Sequence, residues 1–220
     1  MKGDEGVLLL CSDGLTSEAL RKEAAGYLRG AKRAALVVTA DNIYKKENYH
    51  VPRGMKELEE LDLRVDLFDL DEQPARALRE YDAVEFIGGN PFYLMHAIRG
   101  SRAQDVLRDI AAGGVLIGWS AAAFAFGASL ELVHRYSPEL NDVHLDDLRG
   151  LSLADVEVLP HYHRMLARYD RFEERCREYE KEKGVSVIRL DDGDGVLIDA
   201  GRMTVCRGEG SGFSDTEERK

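Results

Sequence analysis

Short apolar runs recur through the first half of this chain, each followed by a stretch with helical spacing, and that alternation narrows the folds open to it. The runs are Val7–Cys11, Ala34–Thr39, Ala83–Ile87 and Val115–Gly118, and Arg64–Phe68 alternates polar and apolar residues like a further strand. Between them, Ser17–Leu28, Gly54–Leu61, Pro91–Arg99 and Gln104–Ala112 place apolar residues on one helical face, and Pro74 opens a further short helix at its first turn. Strands that alternate with helices in this way pair in parallel through right-handed crossovers, with helices on both faces. The expectation is a single three-layer, doubly wound α/β domain over residues 1–207. Such sheets bind ligands beyond the carboxyl ends of their strands.

Two of those strand ends carry distinctive residues. Ala83–Ile87 runs into Gly88-Gly89-Asn90, and Val115–Gly118 runs through Trp119 into Ser120 and three alanines, Ala121 to Ala123. A serine on a sharp strand-to-helix turn raises its hydroxyl above the sheet. The next backbone N–H, that of Ala121, then points to where an oxyanion would form. Serine attacks carbonyls only when a base removes its proton, and histidine is the usual base. His161 stands after a further apolar run, Val156–Leu159, and Pro160. In an extended segment His163 shares its face, which makes it a substrate contact or, with His161, half of a metal pair in a rival metal-assisted hydrolase.

An acid that orients such a histidine is the usual third member. The polar excursion around Val133–Leu153 offers Glu131, Glu139, Asp142, Asp146 and Asp147, and spacing does not choose among them. The order serine, acid, histidine at successive strand ends repeats that of α/β-hydrolases. Arg164, Arg168 and Arg171 follow the histidine and can receive a carboxylate. Each feature also has a plain structural reading: a tight strand–helix junction, a glycine turn, a packed histidine.

Toward the end, Arg168–Lys183 reads as one helix with Tyr169, Phe172, Cys176 and Tyr179 on its apolar face. Val185–Leu190, Val196–Ile198 and Met203–Cys206 read as a terminal meander, with Asp192–Gly195 as a turn, and residues 208–220 as a disordered tail. The net charge of −11 argues against nucleic acid and anionic membranes as partners. No apolar stretch has the length of a membrane span, and the N-terminus lacks the apolar region of a signal peptide. Cys11, Cys176 and Cys206 match no zinc spacing and fit reduced thiols in a cytoplasmic protein. No motif calls for a cofactor or metal.

Three ordered segments, Ile87–Phe92, Gly118–Ala121 and Leu159–Tyr162, resemble the marker segments of peptidase family S51, to which peptidase E and cyanophycinase belong. Val37–Ala40, Pro138–Asp142 and Asp191–Val205 also look like family segments, so the similarity covers residues 5 to 207. The resemblance implies a fold like that of class I glutamine amidotransferases (flavodoxin-like), with serine in place of the elbow cysteine. It implies a serine exopeptidase acting on short peptides, with Ser120 as nucleophile, His161 as general base, and Gly89 and Ala121 as oxyanion donors. Glu139 is the implied acid, with Asp142 second, and Gly88, Asn90, His163 and Arg164 would surround the substrate. Asp-X dipeptidase and carboxypeptidase-type specificity both stay open. A homodimer is expected from the resemblance and from the apolar content of the excursion. One departure stands out: the family reads Ser-Ala-Gly where this chain has Ser120-Ala121-Ala122. A glycine-only backbone angle there would cost Ala122 about 1 kcal/mol. That departure keeps open a non-peptidase member of the fold that only binds a small molecule.

Overall fold

The computed structural model describes residues 6–213; residues 1–5 and 214–220 lie outside the described residues. The strands are β1 (Val7–Cys11), β2 (Arg33–Val37), β3 (Arg64–Phe68), β4 (Ala83–Phe86), β5 (Val115–Trp119), β6 (Glu157–Pro160), β7 (Val187–Leu190), β8 (Gly195–Asp199) and β9 (Arg202–Cys206). The helices are α1 (Glu18–Tyr27), α2 (Val51–Glu59), α3 (Pro91–Gly100), α4 (Gln104–Gly113), α5 (Ala121–Phe126), α6 (Glu131–Tyr136), α7 (Tyr162–Arg168) and α8 (Phe172–Lys183). Seven strands form the central sheet in the order β3-β2-β4-β5-β1-β8-β9. The first five of these are parallel, and β8 runs antiparallel to β1. This is the doubly wound arrangement expected from the alternation of runs.

Alternate residues of each strand face opposite cores. Leu8, Leu10, Val37, Phe86 and Leu116 pack with α3, α4 and α5 on one side. Val7, Leu9, Leu36, Ile117 and Trp119 pack with α1 and α2 on the other. Both sides of the sheet are therefore covered at its centre, which is why the inner strands β1, β2, β4 and β5 read as apolar runs, while the edge strand β3 alternates and is half-exposed. In register, Cys11 lies beside Trp119, Gly118 beside Phe86, and Phe86 beside Val37. The carboxyl ends of four strands thus open at one level. Among the described residues no helix is long and apolar enough to cross a membrane.

Three expectations need correction. The helix expected over 168–183 begins only at Phe172, because Arg168 ends α7, Tyr169 is extended and Arg171 is left-handed (φ 50°). The terminal meander does not form: β7 pairs in parallel with β6 in a separate two-stranded sheet. Only β8 and β9 make a hairpin, and its turn is Ala200-Gly201, both at positive φ, as a two-residue hairpin loop requires. Of the expected tail, residues 208–213 are tethered to the domain although none of them is buried. The Gly208 and Gly212 N–H groups donate to Asp194 and Asp191, and the Phe213 ring lies against Tyr162 and His163. The remainder, 214–220, falls outside the described residues.

Candidate active site

Ser120 joins β5 to α5 with φ 53° and ψ −106°, a backbone region that side chains avoid. Small neighbours make the turn possible. A side chain at Gly118 would run into the Phe126 ring, and one at Gly88 would come within 3.1 Å of the Ser120 Cβ. Gly89 (φ 154°) lies so close to Ala40 that a Cβ would collide with its carbonyl. The Ser120 N–H donates to the Cys11 carbonyl (3.1 Å), which fastens the turn to β1. Ala122, by contrast, is an ordinary buried residue of α5 and is absent from the positive-φ set. The strain expected at Ala122 is located at Ser120 itself. Among the described residues, no group accepts a hydrogen bond from the Gly89 or Ala121 N–H.

His161 follows β6 and holds an unusual backbone, φ 132° and ψ 47°. Its Nε2 lies 2.7 Å from Ser120 Oγ, and its Nδ1 lies 2.7 Å from Asp192 Oδ1. Parallel pairing explains the meeting. Pro160 of β6 sits opposite Leu190 of β7, so the residues after each strand emerge side by side. Asp192 accepts two further bonds, from the Ser12 hydroxyl at 3.1 Å and from Arg164 at 2.9 Å. The hydrogen bond from His161, with that from Arg164, holds its carboxyl well below the usual carboxylate range against the opposing effect of burial. A carboxylate on Nδ1 keeps the proton there and leaves Nε2 free to accept from Ser120.

The serine opens into a cleft of about 570 Å³, lined by Asp13, Asp41, Tyr44, Asn48, Tyr49, His50, Arg53, Gly88, Gly89, Trp119, Ser120, His161 and Arg164. Arg53, on α2, lies over the Trp119 ring at 4.7 Å and donates to the Asp13 carbonyl at 2.6 Å. His50 stands edge-on to the same ring at 5.4 Å. Burial first, and then the Arg53 charge, push the His50 imidazole below its ordinary pKa, so it is neutral at pH 7. The carboxylates at the rim are occupied: Asp41 caps the N–H groups of Ile43 and Tyr44, and Asp13 accepts from Thr16 and Gly193.

The profile of Peptidase family S51 matches residues 8–206. The chain belongs to peptidase family S51. An uncharacterized peptidase, Lmo0363 of Listeria monocytogenes, is 29% identical over 136 residues, 60% of this chain and 66% of that protein. Peptidase E of Shewanella sp. (strain W3-18-1) is 26% identical over 106 residues, 48% of this chain and 43% of its own length. The chain thus spans less than two thirds of the curated relatives it matches. Among solved structures, a candidate peptidase E from L. monocytogenes EGD-e aligns with TM-score 0.73 and 22% identity, covering 92% of this chain and 98% of that one. A peptidase from an acI-B1 actinobacterium aligns with TM-score 0.71 and 18% identity over 94% and 89% of the two chains.

Within this S51 chain the expected site residues separate into two groups. Ser120, His161, Gly88, Gly89, Ala121 and Arg164 come together around the cleft or at its elbow. Glu139 does not join them: it is exposed in the turn Pro138–Leu140, and the carboxylate on His161 is Asp192. Asp142 instead meets the Asn90 amide at 3.3 Å. Asn90 caps α3 through Phe92 and Tyr93 N–H and ties down the Leu140 carbonyl, so its side chain serves the scaffold. His163 turns to its own partner, Asp191, at 2.7 Å, so the two histidines face different carboxylates. Among the described residues no group of three His, Cys, Asp or Glu side chains could hold a metal ion. Sequence reasoning missed Asp192, Ser12, His50 and Arg53. For Asp192 a signal existed, since Asp191-Asp192 directly follows an apolar run just as His161 does.

Behind the cleft, Glu85 of β4 is fully buried, and neither carboxyl oxygen has a hydrogen-bond partner. The Trp119 indole N–H alongside is near enough to favour the charged form slightly but lies outside hydrogen-bond geometry. Burial, and then nearby Glu57, push the Glu85 carboxyl well above its ordinary pKa. The folded state therefore keeps a proton that the unfolded chain releases above about pH 4.5. Stability attributable to this group is full below that pH and is lost as pH rises toward the folded pKa, at up to about 1.4 kcal/mol per pH unit. Glutamine has no proton to lose. Thermal melts of Glu85→Gln should therefore gain on the parent steadily from pH 5 upward, and a pH-independent difference would contradict the account.

Proposed function

We propose that this chain is a serine exopeptidase that cleaves short peptides through an acyl-enzyme on Ser120. The observation that carries the reading is the continuous hydrogen-bond chain Ser120–His161–Asp192 at the base of an open cleft. His161 Nε2 takes the hydroxyl proton as Ser120 Oγ attacks the peptide carbonyl, and Asp192 stabilises the imidazolium that forms. The oxyanion falls to the N–H groups of Gly89 and Ala121, each worth a few kcal/mol of barrier. The imidazolium then protonates the leaving amine. Water, activated by the same histidine, hydrolyses the ester and regenerates the serine.

The cations lining the cleft support a substrate carrying a carboxylate, either an aspartate side chain beside the scissile bond or a terminal carboxylate. Arg53 lies over Trp119, half-buried and within 3.6 Å of the Asp13 and Glu57 carboxylates, and the Arg164 side chain, at 66% exposure, is open to solvent at the mouth. An Asp-X dipeptidase and a carboxypeptidase-type enzyme both use such a group. Asp-X dipeptides, their asparagine counterparts and blocked C-termini distinguish the two. The reading is tested by fluorophosphonate labelling followed by peptide mapping. A single adduct on Ser120, lost in His161→Ala, is expected; no adduct would overturn it in favour of a binding protein.

The reading includes a cytoplasmic location, supported by three buried free cysteines, and a homodimer. For the dimer the support is the exposed apolar rim Ile43, Tyr44 and Tyr49 on one loop. Sedimentation should show a dimer at micromolar concentration, and monomer alone would refute it.

A further inference from the structure

We infer that Ser12 is a positioning residue of this reaction, its hydroxyl holding Asp192 in line with His161. The inference rests on the acyl-transfer reading above. Ser12 is the first residue past β1 and is fully buried. Its hydroxyl donates to Asp192 Oδ1 at 3.1 Å and lies 3.1 Å from His161 Nδ1, so the three groups close a triangle. Its backbone N–H donates to the Asp194 carbonyl at 3.0 Å, which ties the same loop a second time. The register of the sheet sets its place: Cys11 pairs with Trp119, so Ser12 and Ser120 leave adjacent strands together.

The need for a third donor follows from the surroundings of Asp192. Its side chain is 37% exposed, and its other oxygen is held by Arg164, whose side chain is 66% exposed. An exposed arginine is a loose anchor, because solvent competes for it and its rotamers are free. Without Ser12 the carboxylate can turn away with Arg164 and leave Nδ1 unsupported at the moment the imidazolium forms. The Ser12 hydroxyl is the buried donor on Oδ1, the oxygen that faces the ring. A donor there also makes Oδ1 less basic, which keeps the proton on the imidazole. Ser12 is not among the residues lining the cleft, so it acts through Asp192 and not on the substrate.

The test measures steady-state hydrolysis and the rate of fluorophosphonate labelling for Ser12→Ala and Ser12→Thr, each in the parent and in the Asp192→Asn background. In the parent, Ser12→Ala should lower kcat and the labelling rate roughly tenfold, in the range for a lost hydrogen bond to a charged group. KM should stay within about twofold, and Ser12→Thr, which keeps the hydroxyl, should recover most of the rate. In Asp192→Asn the Ser12→Ala change should have no further effect, because groups acting as one unit are not additive. An unchanged kcat in Ser12→Ala overturns the inference. So does an equal loss in both backgrounds, which is what a general packing defect would give. If Ser120→Ala still turns over, or Asp192→Asn labels at the parental rate, the failure lies in the reading of the site and takes the inference with it.

Discussion

Replacing Ser120 by alanine should reduce hydrolysis by at least ~10³-fold, to the level left by binding and the oxyanion donors alone, while the melting temperature stays at or above that of the parent. The chemical half of this expectation follows from the hydrogen bond between Ser120 Oγ and His161 Nε2, 2.7 Å long, through which the proton must leave. The structural half follows from the elbow. At φ 53° and ψ −106° the serine occupies a conformation that only glycine adopts without strain, and the strain is held by Cys11 behind it and α5 ahead. Ser120→Gly should therefore be equally inactive yet more stable, by about 1 kcal/mol, or roughly 2–4 °C for a domain of this size. Calorimetry of the two variants beside dipeptide hydrolysis separates the effects. Substantial turnover in either variant would remove Ser120 from the chemistry. A glycine variant less stable than the alanine one would mean that the turn is not strained.

The elbow was legible in the sequence because its cause is local. Val115–Trp119 is a buried strand, small residues follow, and nothing else about the surroundings is needed to see a serine at a strand end. The same holds for His161 after β6 and for the glycines after β4. Resemblance to S51 segments pointed to the same positions and agrees with the family match. The acid was not legible, because its identity depends on which strand lies beside β6. Val187–Leu190 looks like one arm of a meander with Val196–Ile198, and antiparallel pairing would have left Asp192 in a simple turn. The strand pairs with β6 in parallel instead, and Asp192 arrives beside His161. The polar excursion over 133–153 is rich in acids, yet its 138–142 segment contacts the cap of α3. Ser12, His50 and Arg53 depend on packing between distant elements, which no local pattern reports. The alanine at position 122 carries no strain, because the positive φ falls two residues earlier, at the serine.

Asp192→Asn should lower kcat by about 10³–10⁴-fold, whereas Glu139→Gln should leave kcat and KM within about twofold of the parent. The reason is tautomeric. A carboxylate at 2.7 Å can only accept from Nδ1, which fixes the proton on that nitrogen and presents a lone pair at Nε2 to Ser120. An asparagine can turn its amide to donate to Nδ1. The ring proton then moves to Nε2, where it opposes the transfer from serine. Glu139, exposed and without a bond to His161, has no route to this effect. A pH series of melting curves supplies a readout independent of turnover. His161, and then Arg164, favour the ionised form of Asp192 in the folded state. Its stabilising contribution is therefore present above about pH 4 and is lost as pH falls through the depressed folded value. Asparagine cannot titrate, so the gap in melting temperature between parent and Asp192→Asn should be widest above pH 5 and narrow toward pH 2. A crippled Glu139→Gln beside an active Asp192→Asn would return the acid to the 138–142 segment. A gap that stays constant with pH would mean that the bond from His161 to Asp192 is not formed in solution.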